Sequence, residues 1–114
     1  MLTLILTNKK KYSTIEKAFN KIIKPNKLAV TVSFVPDKEI KRINKIYRQQ
    51  NKVTDVLSFS YSESLGEILI AKKYQREVNK LIIHGLLHIV GYDHNNLKEA
   101  KKMSQKERQI IKLC

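Results

Sequence analysis

The sequence predicts an α+β protein: a single domain with a mixed, roughly four-stranded sheet flanked by helices. Segments with the alternating pattern of strands are interspersed with segments of helical period, in the order β-α-β-α-β-β-α-α. The chain has 114 residues, which suffices for one core of modest size. The link between the third and fourth strands is too short for a crossover, so these two should be antiparallel if they pair.

The first half of the chain predicts two strands joined by a helix. The strands are "LTLILT" (residues 2–7) and "LAVTVSFV" (28–35), the second of which is rich in β-branched residues. Between them, apolar residues recur at helical spacing from about Ser13 to Lys24, and Pro25 ends the helix. This β-α-β unit and the next one predict parallel strand pairs with right-handed crossovers.

The second half predicts a helix, two strands and two further helices. Asp37 is a good N-cap for the helix that follows Pro36. The strands are "TDVLSFSY" (54–61) and "LGEILIA" (65–71). From Lys72 the chain is again helical, polar to Lys80 and almost wholly apolar to Val90. The last helix, about residues 96–113, is basic and has as its inner side Leu97, Ala100, Met103, Ile110 and Ile111.

The charge of the chain favours a polyanionic partner. It contains 23 Lys+Arg and 10 Asp+Glu, for a net charge of +13. Such an excess in a small chain indicates nucleic acid first and an anionic membrane surface second. A merely solvated lysine surface is the alternative, because 19 of the 23 cations are Lys whereas phosphate-specific sites favour Arg.

The single cysteine, Cys114, rules out a disulfide within the chain, which fits a reducing compartment. The first six residues are apolar and basic residues follow, which is the reverse order of a secretory signal. No stretch approaches the roughly eighteen apolar residues of a membrane span. The expected location is therefore the cytoplasm, with no membrane contact.

All the histidines of the chain, His84, His88 and His94, lie in its most apolar segment. In a helix, the four-residue spacing of the first two places them on one face about 6 Å apart, whereas in a strand they would be about 13 Å apart. Zinc needs its ligand nitrogens at about 2.0–2.1 Å, so a shared ion demands the helix. Gly91 can adopt the left-handed conformation that ends a helix, which would let the chain turn back and bring His94 to the other two.

The spacing of the three histidines and Gly91 matches the metzincin zinc site, H-E-x-x-H-x-x-G-x-x-H. Gly85 replaces the glutamate, so the metal ligands are present without the peptidase general base. Three neutral imidazoles leave a fourth position for water, which is typical of catalytic rather than structural zinc. Asp93 could accept a ring N–H from a ligand or cap the turn, and the spacing leaves both roles open.

The segment "HGLLHIVGYDH" (84–94) resembles the H-G-x-L-H-x-x-G-Y-D-H signature of the YbeY family. The members of this family are bacterial endoribonucleases and ribosomal RNA maturation factors. Two more segments are similar to family motifs and follow in family order. "INKIYRQQNKVTDVLSFSY" (43–61) resembles L-N-x-x-Y-R…T-D-V-L-S-F-P, and "LGEILIA" (65–71) resembles an L-G-D-I strand. The chain departs from the family by Val53 and Ser60, where proline is usual, and by shorter segments near 61–65 and 71–77.

The resemblance implies a mixed sheet of four strands, with a metzincin-like metal helix after the last strand. It implies that His84, His88 and His94 bind one zinc ion and that Arg48 serves the same active cleft, so that these four residues are catalytic. The implied activity is single-strand-specific endoribonuclease action in ribosomal RNA processing and small-subunit maturation. The implied partners are single-stranded RNA, ribosomal RNA and the small ribosomal subunit, with no organic cofactor.

Two other functions remain open. A non-catalytic ribosome-assembly factor would bind RNA around a structural zinc, and Cys114 is the only cysteine that could close such a site. A metallopeptidase is less favoured, because Gly85 cannot act as a base and the surface is basic. Tyr61, Tyr92 and Phe59 are candidate surfaces for base stacking, although core packing is the expected role of Phe59.

Overall fold

The computed structural model describes residues 1–6 and 12–114. A kinked 3₁₀ segment, Lys72–Glu77, joins the last strand to the third helix. Among the described residues, no helix is both long and apolar enough to span a bilayer. The elements are β1 (Leu2–Ile5), α1 (Ser13–Ile22), β2 (Leu28–Val35), α2 (Asp37–Arg48), β3 (Val56–Ser62), β4 (Leu65–Ala71), α3 (Val78–Ile89) and α4 (Leu97–Leu113).

The four strands form one mixed sheet in the order β1-β2-β4-β3, which confirms the predicted α+β class. β1 and β2 are parallel, as are β2 and β4, and β3 is antiparallel to β4 as expected. The prediction of a second parallel β-α-β unit is wrong, because β4 is parallel to β2 and β3 is antiparallel to β4, so β2 and β3 run in opposite directions. Ile68 and Ile70 of β4 are fully buried. This apolar strand therefore occupies the interior of the sheet, and the more polar β3 is left at its edge.

Helices cover both faces of the sheet. On one face, α1, α3 and α4 pack on a core that contains Ile68 and Ile70 of β4. On the other face, α2 packs through Ile40 on a smaller cluster that contains Leu57 and Leu69. The alternation of β4 residues between the two clusters follows from the two-residue period of a strand. The edge strand β3 therefore has one side toward α3 and the other toward α2.

Some details of the sequence prediction are corrected. Asp37 is the first residue of α2 rather than its N-cap, and its carboxylate accepts the Lys73 N–H at 3.2 Å. On α4, Met103 and Ile110 are buried as expected, but Leu97 is 74% and Ile111 45% exposed. α4 is 17 residues long and packs mainly on α1 and α3, so the predicted inner stripe is wider than the surface that these two helices cover. The end of the predicted first strand, at residue 7, lies outside the described residues.

Candidate metal centre

α3 places His84 and His88 side by side, as the spacing predicts. Their Nε2 atoms are 3.1 Å apart and their ring centroids 4.6 Å apart. Both side chains are half-buried, whereas Leu86 and Leu87 on the same helix are fully buried in the core. The apolar residues thus anchor the helix, and the two imidazoles lie along its open side.

Gly91 ends α3 and turns the chain back. Its φ of 103° is in the left-handed region, and its N–H donates to the His88 carbonyl at 3.0 Å. The Tyr92 N–H donates to the Leu87 carbonyl at 2.9 Å. These two bonds form a Schellman motif, in which glycine is preferred because it has no Cβ. The predicted role of Gly91 in ending the helix is confirmed.

The turn brings His94 to the other two histidines. Its ring centroid lies 6.1 Å from that of His84 and 5.2 Å from that of His88. The carboxylate of Asp93 accepts two hydrogen bonds, one from the backbone N–H of His94 at 2.6 Å and one from the side-chain amide of Asn95 at 2.7 Å. Asp93 therefore caps the turn, which is one of the two roles that the spacing left open.

The three imidazoles could hold a metal ion. One ring nitrogen of each lies within 4.8 Å of the others. In tetrahedral zinc coordination these nitrogens would be roughly 3.4 Å apart, so the pair on α3 already fits and His94 needs only a small approach. Burial lowers the pKa of His88, and the positive charges of His84 and His94 lower it further. This favours the neutral imidazole, which is the form that binds metal.

Gly85, which replaces the metzincin glutamate, faces the sheet at Ser58 and Ile68. It is buried, and a Cβ built on it would lie 2.9 Å from both Ser58 Oγ and Ile68 Cδ1. α3 therefore approaches the sheet closely at this point. A glutamate has no space here, so the missing general base is a consequence of how the helix packs.

Arg48 and the three histidines meet in one cleft of about 660 Å³. Arg48 is the last residue of α2, on the opposite face of the sheet from α3. Its guanidinium extends to the edge strand, where it donates to the Ser58 carbonyl at 2.7 Å and lies 5.2 Å from the Phe59 ring centroid. The cleft is lined by Arg48, Thr54, Asp55, Val56, Leu57, Ser58, Ser60, His84, His88, Ile89 and His94.

Glu107 of α4 is a residue that the sequence reasoning missed. Its Oε1 lies 3.8 Å from Nδ1 of His84, the ring nitrogen that faces away from His88. Glu107 occupies the helical stripe of the buried Met103 and Ile110. The sequence did contain one signal for a role of Glu107: it is a carboxylate within an apolar helical stripe, and buried charges are rare without a partner.

Phe59 and Tyr61, two of the three candidate stacking residues, lie together beside α2. The Phe59 and Tyr61 rings are stacked, with centroids 6.3 Å apart, and Tyr47 meets Phe59 edge-on at 5.7 Å. Phe59 packs on the α2-side cluster as expected. Tyr61 donates to the Glu67 carboxylate at 2.6 Å, a hydrogen bond that raises the pKa of Tyr61. Tyr92 is half-buried against the main core.

Comparisons with known proteins agree with this architecture. A family model described as endoribonuclease YbeY matches residues 4–114. This chain belongs to that family. Proteins named endoribonuclease YbeY from Thermodesulfovibrio yellowstonii and Pelagibacter ubique are 38% and 36% identical to it, over 88% and 95% of this chain and 77% and 85% of theirs.

A solved structure shares the fold of this YbeY family member. The solution structure of TM1509 from Thermotoga maritima is similar to this chain, with a TM-score of 0.58 and 26% sequence identity. The match covers 96% of this chain and 89% of that one. The predicted family and fold are therefore both confirmed.

Proposed function

We propose that this chain is a zinc-dependent, single-strand-specific endoribonuclease that acts in ribosomal RNA processing and small-subunit maturation. Membership of the endoribonuclease YbeY family supports the nuclease class. One observation carries the site assignment: Arg48, the only Arg or Lys among the described residues that line the cleft, shares that cleft with His84, His88 and His94. A cation beside a metal centre is the arrangement that phosphodiester chemistry requires.

The residues have separate roles in this proposal. His84, His88 and His94 hold one zinc ion, which when bound supplies Lewis-acid polarisation of a phosphoryl oxygen and a more acidic water. Arg48 binds the scissile phosphate and stabilises the extra negative charge of the transition state. One of its N–H groups is held by the Ser58 carbonyl, so the guanidinium is oriented while its other donors remain for the phosphate.

Two further features support an RNA substrate. The net charge of +13 attracts a polyanion over a long range. The cleft lies beside the polar edge strand β3, whose Ser58 and Ser60 line it. Serine hydroxyls can donate to phosphate or to the ribose 2′-OH. The family resemblance is the basis for three further parts of the proposal: the ribosomal RNA substrate, the small-subunit partner and the cytoplasmic location.

The alternatives receive less support. A structural zinc would be closed by a fourth protein ligand, but within the described part of the chain the metal-binding group has three members and Cys114 is not among them. A peptidase of the metzincin type would need a glutamate at position 85, where the helix packs directly on the sheet.

The proposal is tested by metal analysis and an RNA assay on one preparation. We expect one zinc ion per chain and cleavage of single-stranded RNA that is abolished by a chelator and restored by zinc. RNA affinity should fall on the order of 10³-fold between 50 and 200 mM salt if several phosphates are contacted. Stoichiometric zinc without RNA cleavage would contradict the catalytic role. A flat salt response would favour a merely solvated lysine surface.

A further inference from the structure

The metal cleft continues into a second groove. Ser60 and Ile89 line both, so the two cavities meet at these residues. The second groove has a volume of about 900 Å³ and lies between the α1–β2 connection and the β3–β4 turn. Its two walls are joined where the Ala29 N–H donates to the Ser64 carbonyl at 2.9 Å.

The groove has the chemistry of a phosphate-binding channel. One wall carries Lys24 and Lys27, both exposed, and the other carries serine hydroxyls and one carboxylate, that of Glu63. Two ammonium groups against one carboxylate leave a net positive lining. Ile89 contributes an apolar surface where the groove joins the cleft. Flexible lysines bind phosphates as point charges without reading sequence, which suits a single-stranded backbone.

We propose that an RNA strand leaving the metal cleft passes Ser60 and Ile89 and enters this groove, where Lys24 and Lys27 contact its phosphates. This inference rests on the proposed function, since it places the part of the substrate that flanks the scissile bond. The β3–β4 turn that forms one wall is short, with Glu63 and Ser64 between the two strands. The short turn leaves the groove open toward solvent, so a continuous strand can lie in it.

The test compares two double variants with the same change in charge. Lys24→Gln/Lys27→Gln alters the groove, and Lys38→Gln/Lys41→Gln alters exposed lysines of α2, on the opposite face of the sheet. Each zinc-loaded protein is titrated with single-stranded RNA of about 3 and about 12 nucleotides, since site sizes on single strands are about 4–16 nucleotides. Kd, its salt dependence, KM and kcat are measured.

The groove variant should bind the longer RNA about tenfold more weakly at low salt, and its salt slope should fall by about 1.4, or about 0.7 for each lost phosphate contact. KM should rise while kcat and the affinity for the short RNA stay unchanged. An equal loss of RNA affinity in both double variants, or no loss in the groove variant, would overturn the proposed RNA path through the groove. Neither result would contradict the proposed nuclease activity. A wild-type protein that neither binds nor cleaves RNA would overturn the proposed function as well.

A separate observation assigns a role to Glu107. Nε2 of His84 faces His88, and its Nδ1 lies 3.8 Å from Glu107 Oε1. Metal binding through Nε2 requires the proton of the neutral ring to be on Nδ1. The Glu107 carboxylate lies beside that nitrogen, and its side chain is only 19% exposed, which limits competition from water.

We infer that Glu107 is a positioning residue: a small approach that closes the 3.8 Å gap lets it accept the Nδ1–H of His84, select the ring tautomer that presents Nε2, and so raise zinc affinity. The inference rests on the proposed metal centre, but its readouts do not depend on RNA cleavage. Glu107→Ala should weaken zinc binding about 10- to 100-fold, and Glu107→Gln, which keeps an acceptor oxygen, less. Glu99→Gln on the same helix is the matched control.

Two measurements separate positioning from a purely structural role. Nitrogen NMR of the metal-free protein should show His84 protonated on Nδ1 in the wild type and a mixture of tautomers in Glu107→Ala. Its thermal midpoint should stay near that of the control. Unchanged zinc affinity and an unchanged tautomer in Glu107→Ala would overturn the inference, as would an equal loss of zinc affinity in Glu99→Gln.

Discussion

The two sides of the edge strand β3 differ in chemistry although they alternate along one strand. Toward α3 the strand presents Ser58 and Ser60, which line the cleft with the histidines. Toward α2 it presents Leu57, Phe59 and Tyr61, which pack on the helix or on one another. The period of two places every second residue on the same side, so one short strand serves as both a cleft wall and a packing surface.

This difference explains why the cleft is open on one side of β3 and why the other side is closely packed. On the cleft side, small residues meet a glycine: a Cβ on Gly85 would lie 2.9 Å from Ser58 Oγ. On the α2 side, large apolar residues hold the helix in place, and Arg48 at its end reaches the strand edge. Changes on the cleft side should therefore alter metal binding and catalysis, whereas changes on the α2 side should act through Arg48.

The largest effect is expected from removal of a histidine. His84→Ala and His88→Ala should each lose bound zinc and lower RNA cleavage by about 10³-fold or more, since a metal ion supplies several kcal/mol of transition-state stabilisation. Elemental analysis and cleavage rates check this, with Asn79→Ala at an exposed position of α3 as the control. Full zinc content in both histidine variants would contradict the assignment of these histidines as zinc ligands.

Introducing the metzincin glutamate should disrupt the fold rather than create a peptidase. Gly85→Glu would force a carboxylate against the sheet, and we expect the free energy of unfolding to fall by about 3 kcal/mol or more. Gly85→Ala adds one methyl group and gains helix propensity, so its loss should be smaller. Denaturant unfolding of the wild type and the two variants measures these free energies. Equal stability of the wild type and Gly85→Glu would contradict the close packing of α3 on the sheet.

Arg48 is the residue that joins the two sides. Arg48→Ala should lower turnover by about 10²-fold, which is the scale for losing one charge-stabilising donor, while zinc content and thermal midpoint are retained. Arg48→Lys should restore only part of the rate, because a point charge cannot reproduce a forked contact. Wild-type turnover in a folded, zinc-loaded Arg48→Ala protein would exclude the residue from catalysis, and loss of zinc or of the fold would indicate a structural role.

The smallest effect is expected on the α2 side. Phe59→Leu keeps an apolar side chain but removes the ring that lies 5.2 Å from the Arg48 guanidinium. A cation–π contact at an exposed site is worth about 0.5–1 kcal/mol, so cleavage should fall about two- to fivefold with zinc affinity unchanged. The combined variant Phe59→Leu/Arg48→Ala should be no slower than Arg48→Ala alone. An additive loss in the combined variant would show that Phe59 acts independently, for example by stacking on a base.

The clustering of the three histidines was largely determined by the sequence itself. His84 and His88 need only a helix to be neighbours, and Gly91 needs only its left-handed conformation to return the chain toward His94. These relations span eleven residues and follow from local backbone geometry. The strand segments and the antiparallel β3–β4 pair were predictable for the same reason, because period and link length are local properties.

The tertiary structure alone decided the features that join distant parts of the chain. No local pattern indicated that β4 would lie between β2 and β3, that Glu107 would face His84, or that Gly85 would touch Ser58. The position of Arg48 in the cleft was implied by the family resemblance and not by its spacing. Such contacts depend on which apolar faces pack together. Periodicity identifies an apolar face, but its partner is set by the packing of the whole core.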